Sequence, residues 1–123
     1  IRDAVVSRGL GDVYKRHVRN RMNKFLIKNK TKKLVVLDIP LYLENKLNKR
    51  GDVLIFVEAK RKDIQKRLEK RKYFNEKLNR NLKSLQLPLT KKKKLSNFVI
   101  KNTFNTTKIK NDVKHIKTEI LNI

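Results

Sequence analysis

The side chains able to do chemistry in this sequence are a carboxylate, Asp38, at the end of the apolar run Leu34-Val35-Val36-Leu37, and a wide scatter of guanidinium and ammonium groups. The planar fork of an arginine suits phosphate oxygens, so any of the ten arginines is a chemically suitable anion contact and the residue type alone does not choose among them. The run Lys91 to Lys94 would add positive charge at the edge of an anionic site. Each feature also has an ordinary reading: Asp38 as the cap of a turn before Pro40, an arginine as a solvated side chain, and the lysine run as solvated surface. Metal-cluster chemistry has no support, because there is no cysteine and His17 and His115 lie far apart without ligand companions.

The elements that must position these groups follow from apolar spacing. Tyr14, Val18, Met22, Phe25 and Leu26 recur at helical intervals, which predicts an amphipathic helix over about 12–28, ended by Asn29 to Thr31. Leu34 to Leu37 and Val53 to Val57 are apolar at every position, the pattern of strands covered on both faces, as in a parallel sheet. Gly51-Asp52 supplies the turn before the second run. Ile64 and Leu68 mark a helix between Lys60 and Lys72, with Asp63 near its positive end. Phe74, Leu78, Leu82 and Leu85 continue a helical stripe that Pro88 should stop. Phe98-Val99-Ile100 reads as a short strand, followed by a helix carrying Ile109, Val113, Ile116 and Ile120 on one face and capped by Thr106 or Thr107.

Strands alternating with helices imply an α/β fold on a parallel sheet flanked by helices. Three strands are few for that architecture, so the expectation is an incomplete domain with neighbours missing upstream. The start at Ile1 rather than Met points the same way, and Ile1 to Val6 lacks the form of a signal peptide. No apolar run approaches the roughly 20 residues of a membrane span. A soluble, cytoplasmic protein without a membrane partner is expected.

A net charge of +23 invites a nucleic-acid reading. Against it, the basic residues run from Arg2 to Lys117 without concentrating in one element. With 24 Lys, 13 Asn and 10 Ile against 2 Ala, the composition also carries a bias toward residues with AT-rich codons, which supplies charge without a selected partner. No nucleic-acid partner is therefore expected. Tyr14, Tyr42, Tyr73 and the five phenylalanines read as core more than as base-stacking platforms.

The segment from Leu34 to Glu44, with Asp38, Pro40, Leu41 and Glu44 in the spacing Asp-x-Pro-Leu-x-x-Glu, resembles the strand and loop of dephospho-coenzyme A kinases. The likeness continues in order along the chain. Arg67, Leu68 and Arg71 match an Arg-Leu-x-x-Arg helix end leading into the lid, Gln86 falls at a lid glutamine, and Lys92 at a basic position six residues later. Ser96 to Asn102 resembles Ala-Asp-x-Val-Ile-x-Asn, and His17-Val18 faintly resembles His-Pro. The match runs from about Lys32 to Ile120. Departures are Val18 for proline, Lys72 for the aspartate after the lid arginine, and Ser96-Asn97 for Ala-Asp. No Gly-x-x-x-x-Gly-Lys-Ser/Thr occurs in the 123 residues, and Gly9-Leu10-Gly11 does not replace it.

The resemblance implies an incomplete P-loop kinase fold spanning 1–123, with core strands at about 33–38, 53–57 and 97–101, a helical lid at about 67–95 and a C-terminal helix at about 106–121. It implies transfer of the γ-phosphoryl group of ATP to the ribose 3'-hydroxyl of dephospho-coenzyme A, with magnesium. It casts Asp38 as catalytic and as an indirect magnesium contact through water, and Arg71 as the lid arginine over the phosphates. Asn102, Lys92, Gln86 and Arg67 become nucleotide-binding residues, Asn102 beside the adenine. The chain alone is expected to be inactive. Two alternatives stay open: another nucleotide kinase of the same fold, and a basic RNA-binding protein whose affinity would fall steeply with salt.

Overall fold

The computed structural model describes residues 8–71, 77, 80 and 85–123. The chain divides into two compact units, one comprising 1–49 with 77–86 and the other 50–76 with 87–123.

In the first unit, helix α1 spans Arg8–Lys28. Its apolar stripe buries Met22, which is 5% exposed, and half-buries Val18 and Leu26. Phe25, expected on that stripe, is instead 48% exposed. The helix ends where the sequence places its end, and the reason is visible in Asn29. Its backbone N–H donates to the Phe25 carbonyl at 3.1 Å and its side-chain amide donates to the same oxygen at 2.8 Å, satisfying a carbonyl the helix itself cannot pair.

The strand expected at 33–38 differs from what forms. Residues 34–39 carry no regular secondary structure, and no strand among the described residues pairs with them. An apolar run becomes a strand only when another backbone accepts and donates along its edge. Beyond Pro40 the chain makes a helical turn with a defined stop. Leu47 N–H donates to Tyr42 O and Lys46 N–H to Leu43 O, both at 3.0 Å, while Lys46 takes φ 53. This is a Schellman closure, and the apolar residue that follows it, Leu47, is buried at 3% exposure.

In the second unit, strands β1 (Ile55–Glu58) and β2 (Phe98–Lys101) pair in parallel, with Ile55 opposite Phe98 and Glu58 opposite Lys101. Helix α2, Arg61–Glu69, follows β1, with Asp63 in its first turn and Lys66 and Arg67 in its last, the charge order that the helix dipole favours. Gly51 turns the chain before β1 at φ 95, a conformation open to glycine. Helix α3, Leu89–Leu95, begins directly after Pro88, whose carbonyl accepts from Lys91 and Lys92 N–H at 3.1 Å. Helix α4, Thr106–Leu121, follows β2 and packs against it. Its cap is Asn105, whose side chain accepts from Lys108 N–H at 3.2 Å. This corrects the expected cap at Thr106 or Thr107 by one or two residues, since the amide oxygen of Asn105 already reaches the donor that a cap must satisfy.

Ile100 of β2 and Ile116 of α4, 8% and 7% exposed, form the buried centre of this unit. The expected cover on both faces of the sheet is incomplete. Ile55 is 43% and Val57 58% exposed, because the described residues of the sheet amount to two strands, with α4 against β2. The stripe Phe74, Leu78 and Leu82, together with Lys72 and Tyr73, lies outside the described residues, whereas Leu85 is exposed.

Candidate functional site

In an open parallel sheet, ligands gather beyond the carboxyl ends of the strands, where loops leave for the next helix. In the second unit that end is built by Glu58 and Lys101, the last ladder pair, and by the loop 102–105. Two asparagines fix the register of the ladder. At the amino end, Asn97 Oδ1 accepts from Leu54 N–H at 2.9 Å while Asn97 N–H donates to Leu54 O at 2.8 Å. At the carboxyl end, Asn102 N–H donates to Glu58 O at 2.7 Å, so the pairing outlasts β2 by one residue.

Asn102 also shapes the loop it opens. Its Oδ1 accepts from Phe104 N–H at 3.0 Å, and Phe104 takes φ 61. The Phe104 ring carries the Arg67 guanidinium over its face, with Cζ 3.8 Å from the ring centroid. Arg67 belongs to the last turn of α2, so this stack fastens the end of that helix to the loop beyond β2. Beside it, Lys93 Nζ lies 3.0 Å from Glu58 Oε2, joining α3 to the end of β1. That oxygen is itself shielded from solvent, but the ammonium's approach is ionic and not a directed hydrogen bond. With the two side chains 38% and 48% exposed, the pair contributes under about 1 kcal/mol.

The structure thus brings Arg67 and Asn102 to one loop through Phe104. Arg71 is exposed in the bend after α2, its N–H donating to Leu68 O at 3.2 Å. Lys92 is half-buried on α3, and its carbonyl accepts from Ser96 Oγ at 2.8 Å. Asp38 and Gln86, both exposed, belong to the other unit. The substitutions Ser96 and Asn97 have structural employment here, one closing α3 and the other pinning the ladder.

Phe104 is the residue that sequence reasoning missed, having been grouped with the core aromatics. A signal was available: it sits in Asn102-Thr103-Phe104-Asn105, a run of turn formers between strand and helix, off any apolar stripe. The Glu58–Lys93 pair had no local signal, since it joins residues distant in sequence.

Among the described residues no group of three or more His, Cys, Asp or Glu could hold a metal ion. Asp38 supplies a single exposed carboxylate. That suits an ion such as magnesium, which keeps several waters and takes one or two carboxylates together with substrate phosphates, and it does not suit an all-protein cage. Among the described residues no helix is long and apolar enough to cross a membrane.

The second unit is a parallel α/β arrangement with an arginine and an asparagine at the carboxyl edge of its sheet, and comparison with known sequences supplies its class. Residues 4–108 match the family model described as dephospho-CoA kinase. The dephospho-CoA kinase of Wolbachia sp. subsp. Brugia malayi is 34% identical over 101 residues, covering 80% of this chain and 51% of that protein. Its counterpart in Wolbachia pipientis wMel is 35% identical over the same shares, and that of Lactobacillus acidophilus 29% over 92 residues, 72% of this chain and 46% of that protein. The chain spans about half the length of the curated relatives it matches. No solved structure gives a significant match. The chain belongs to the dephospho-CoA kinase family.

Proposed function

We propose that the complete protein carrying this segment transfers the γ-phosphoryl group of ATP to the ribose 3'-hydroxyl of dephospho-coenzyme A, in the cytoplasm, and that residues 1–123 are part of its P-loop kinase domain. The observation that carries this reading is the family match over 4–108, within which Asp38, the arginines Arg67 and Arg71 at the end of α2 and the strand leading to Asn102 follow in order. Phosphoryl transfer asks little covalent work of a protein. It asks for positioning and for positive charge where the equatorial oxygens gather charge.

In this reading Arg71, exposed just past the end of α2, swings over the phosphates with the lid, its fork matching two oxygens at once. Arg67, held at the loop 102–105, contacts a phosphate at the sheet edge. Asn102 shapes the nucleotide pocket through the loop its side chain closes, and Lys92 and Gln86 contribute from α3 and from the segment before Pro88. Asp38 would hold magnesium indirectly, through water, and that ion would supply neutralisation of phosphate charge. Dephospho-coenzyme A and ATP are the partners, with no nucleic acid or membrane.

In the complete enzyme, Arg71→Ala lowers kcat by about 10² to 10³-fold, the loss that follows removal of one transition-state donor, and Arg71→Lys recovers only part because the fork is gone. Retention of full kcat in Arg71→Ala removes this residue from the mechanism.

A further inference from the structure

We propose that Phe104 is a positioning residue whose ring holds the Arg67 guanidinium flat and edge-outward, as a preformed fork for a phosphate group of the bound nucleotide. The proposal rests on the kinase reading above and goes beyond it by assigning Phe104, to which the sequence likeness gives no role.

The backbone carries the first part of the argument. Phe104 sits at φ 61, the left-handed region, where a bulky side chain is a genuine outlier. Such a conformation persists when its surroundings impose it, and here Asn102 Oδ1 supplies one constraint by accepting from Phe104 N–H at 3.0 Å. The ring so placed is half-buried and lies under Arg67.

The second part is the geometry of the stack. At 3.8 Å from the ring centroid the cation lies over the face, where the ring quadrupole attracts it. A guanidinium holds its N–H donors in its own plane, so one stacked parallel to a ring points them past the ring edge and not into it. Among the described residues the Arg67 side chain makes no ion pair or hydrogen bond, and the residue is exposed. The stack therefore fixes the orientation of the fork without consuming its donors, at the carboxyl edge of the sheet, where a phosphate-bearing ligand belongs.

The test uses the complete protein with three variants, Phe104→Gly, Phe104→Tyr and Arg67→Ala. Glycine accepts the left-handed backbone freely, so Phe104→Gly removes the ring at the least risk to folding. Phe104→Gly is expected to raise KM for ATP or for dephospho-coenzyme A about 3- to 30-fold, the range a cation–π contact supports, with kcat changed far less. Phe104→Tyr keeps the aromatic face and restores KM. Combining Arg67→Ala with Phe104→Gly adds nothing beyond Arg67→Ala alone, because both act through one group. Unchanged KM values in Phe104→Gly, or losses that multiply in the double variant, overturn the proposal. A second measurement does not depend on catalysis. In protein labelled with 15N-arginine, tripolyphosphate is expected to shift the Arg67 Nε–H resonance in the wild type and to shift it much less in Phe104→Gly. If the wild type makes no coenzyme A, the kinase reading fails and this titration alone decides: an equal response in both proteins overturns the positioning role.

Discussion

Two apolar runs of nearly the same character meet different fates in this chain. Val53 to Val57 contributes strand β1, paired in parallel with β2 and continued at both ends by Asn97 and Asn102. Leu34 to Leu37 is as rich in β-branched and aliphatic residues, yet residues 34–39 form no ladder, and Val36 is 76% exposed. Residue preference states only that a segment suits a pleated, half-buried surface. Whether it becomes a strand depends on a partner edge, which the first run finds 43 residues further on through Leu54 and Asn97. Stability, by the same reasoning, should concentrate where β2 meets α4.

The sharpest way to break that contrast is to empty the small core. Ile116→Ala, deleting a side chain that is 7% exposed, is expected to cost about 2–4 kcal/mol in urea unfolding, whereas Val36→Ala stays within about 0.5 kcal/mol. Equal losses would mean that the 34–39 segment is as integrated as the sheet. Next in size is the asparagine at the amino end of the ladder. Asn97→Ala should cost about 1 kcal/mol by removing the acceptor of Leu54 N–H, while Asn97→Asp keeps the acceptor and most of the stability. Removing the helix cap comes third: Asn105→Ala costs about 1 kcal/mol, and Thr106→Ala only a few tenths, measured by thermal unfolding. A larger loss at Thr106 would move the cap back to where spacing alone had put it. Smallest is Lys93→Ala, expected under about 0.5 kcal/mol at moderate salt because both side chains of the ion pair are partly exposed, although the paired Glu58 oxygen is shielded.

Much of the second unit could be read from sequence. The parallel strands fall within a residue or two of the expected positions, and α2 and α4 lie where the apolar spacing puts them. The covered faces were misjudged for Ile55 and Val57, since continuous apolar runs report what a strand is suited to meet and not what is present to meet it. Arg67 and Asn102 were identified as candidates by resemblance, but the residue joining them was not. A phenylalanine in the left-handed region is a tertiary outcome, set by the Asn102 side chain and the Arg67 cation together. Nor could spacing show that Ser96 and Asn97 would be absorbed into helix and ladder, because their partners are chosen by the fold.

The kinase assignment meets its most searching check in a single assay: formation of coenzyme A and ADP from dephospho-coenzyme A and ATP by the complete protein, run beside nucleoside monophosphates as competing acceptors. Coenzyme A and ADP should accumulate in equal amounts while the monophosphates stay intact, and the 123-residue chain by itself should give no product. Phosphorylation of a monophosphate with dephospho-coenzyme A left untouched would contradict the assignment and return the molecule to the wider class of nucleotide kinases.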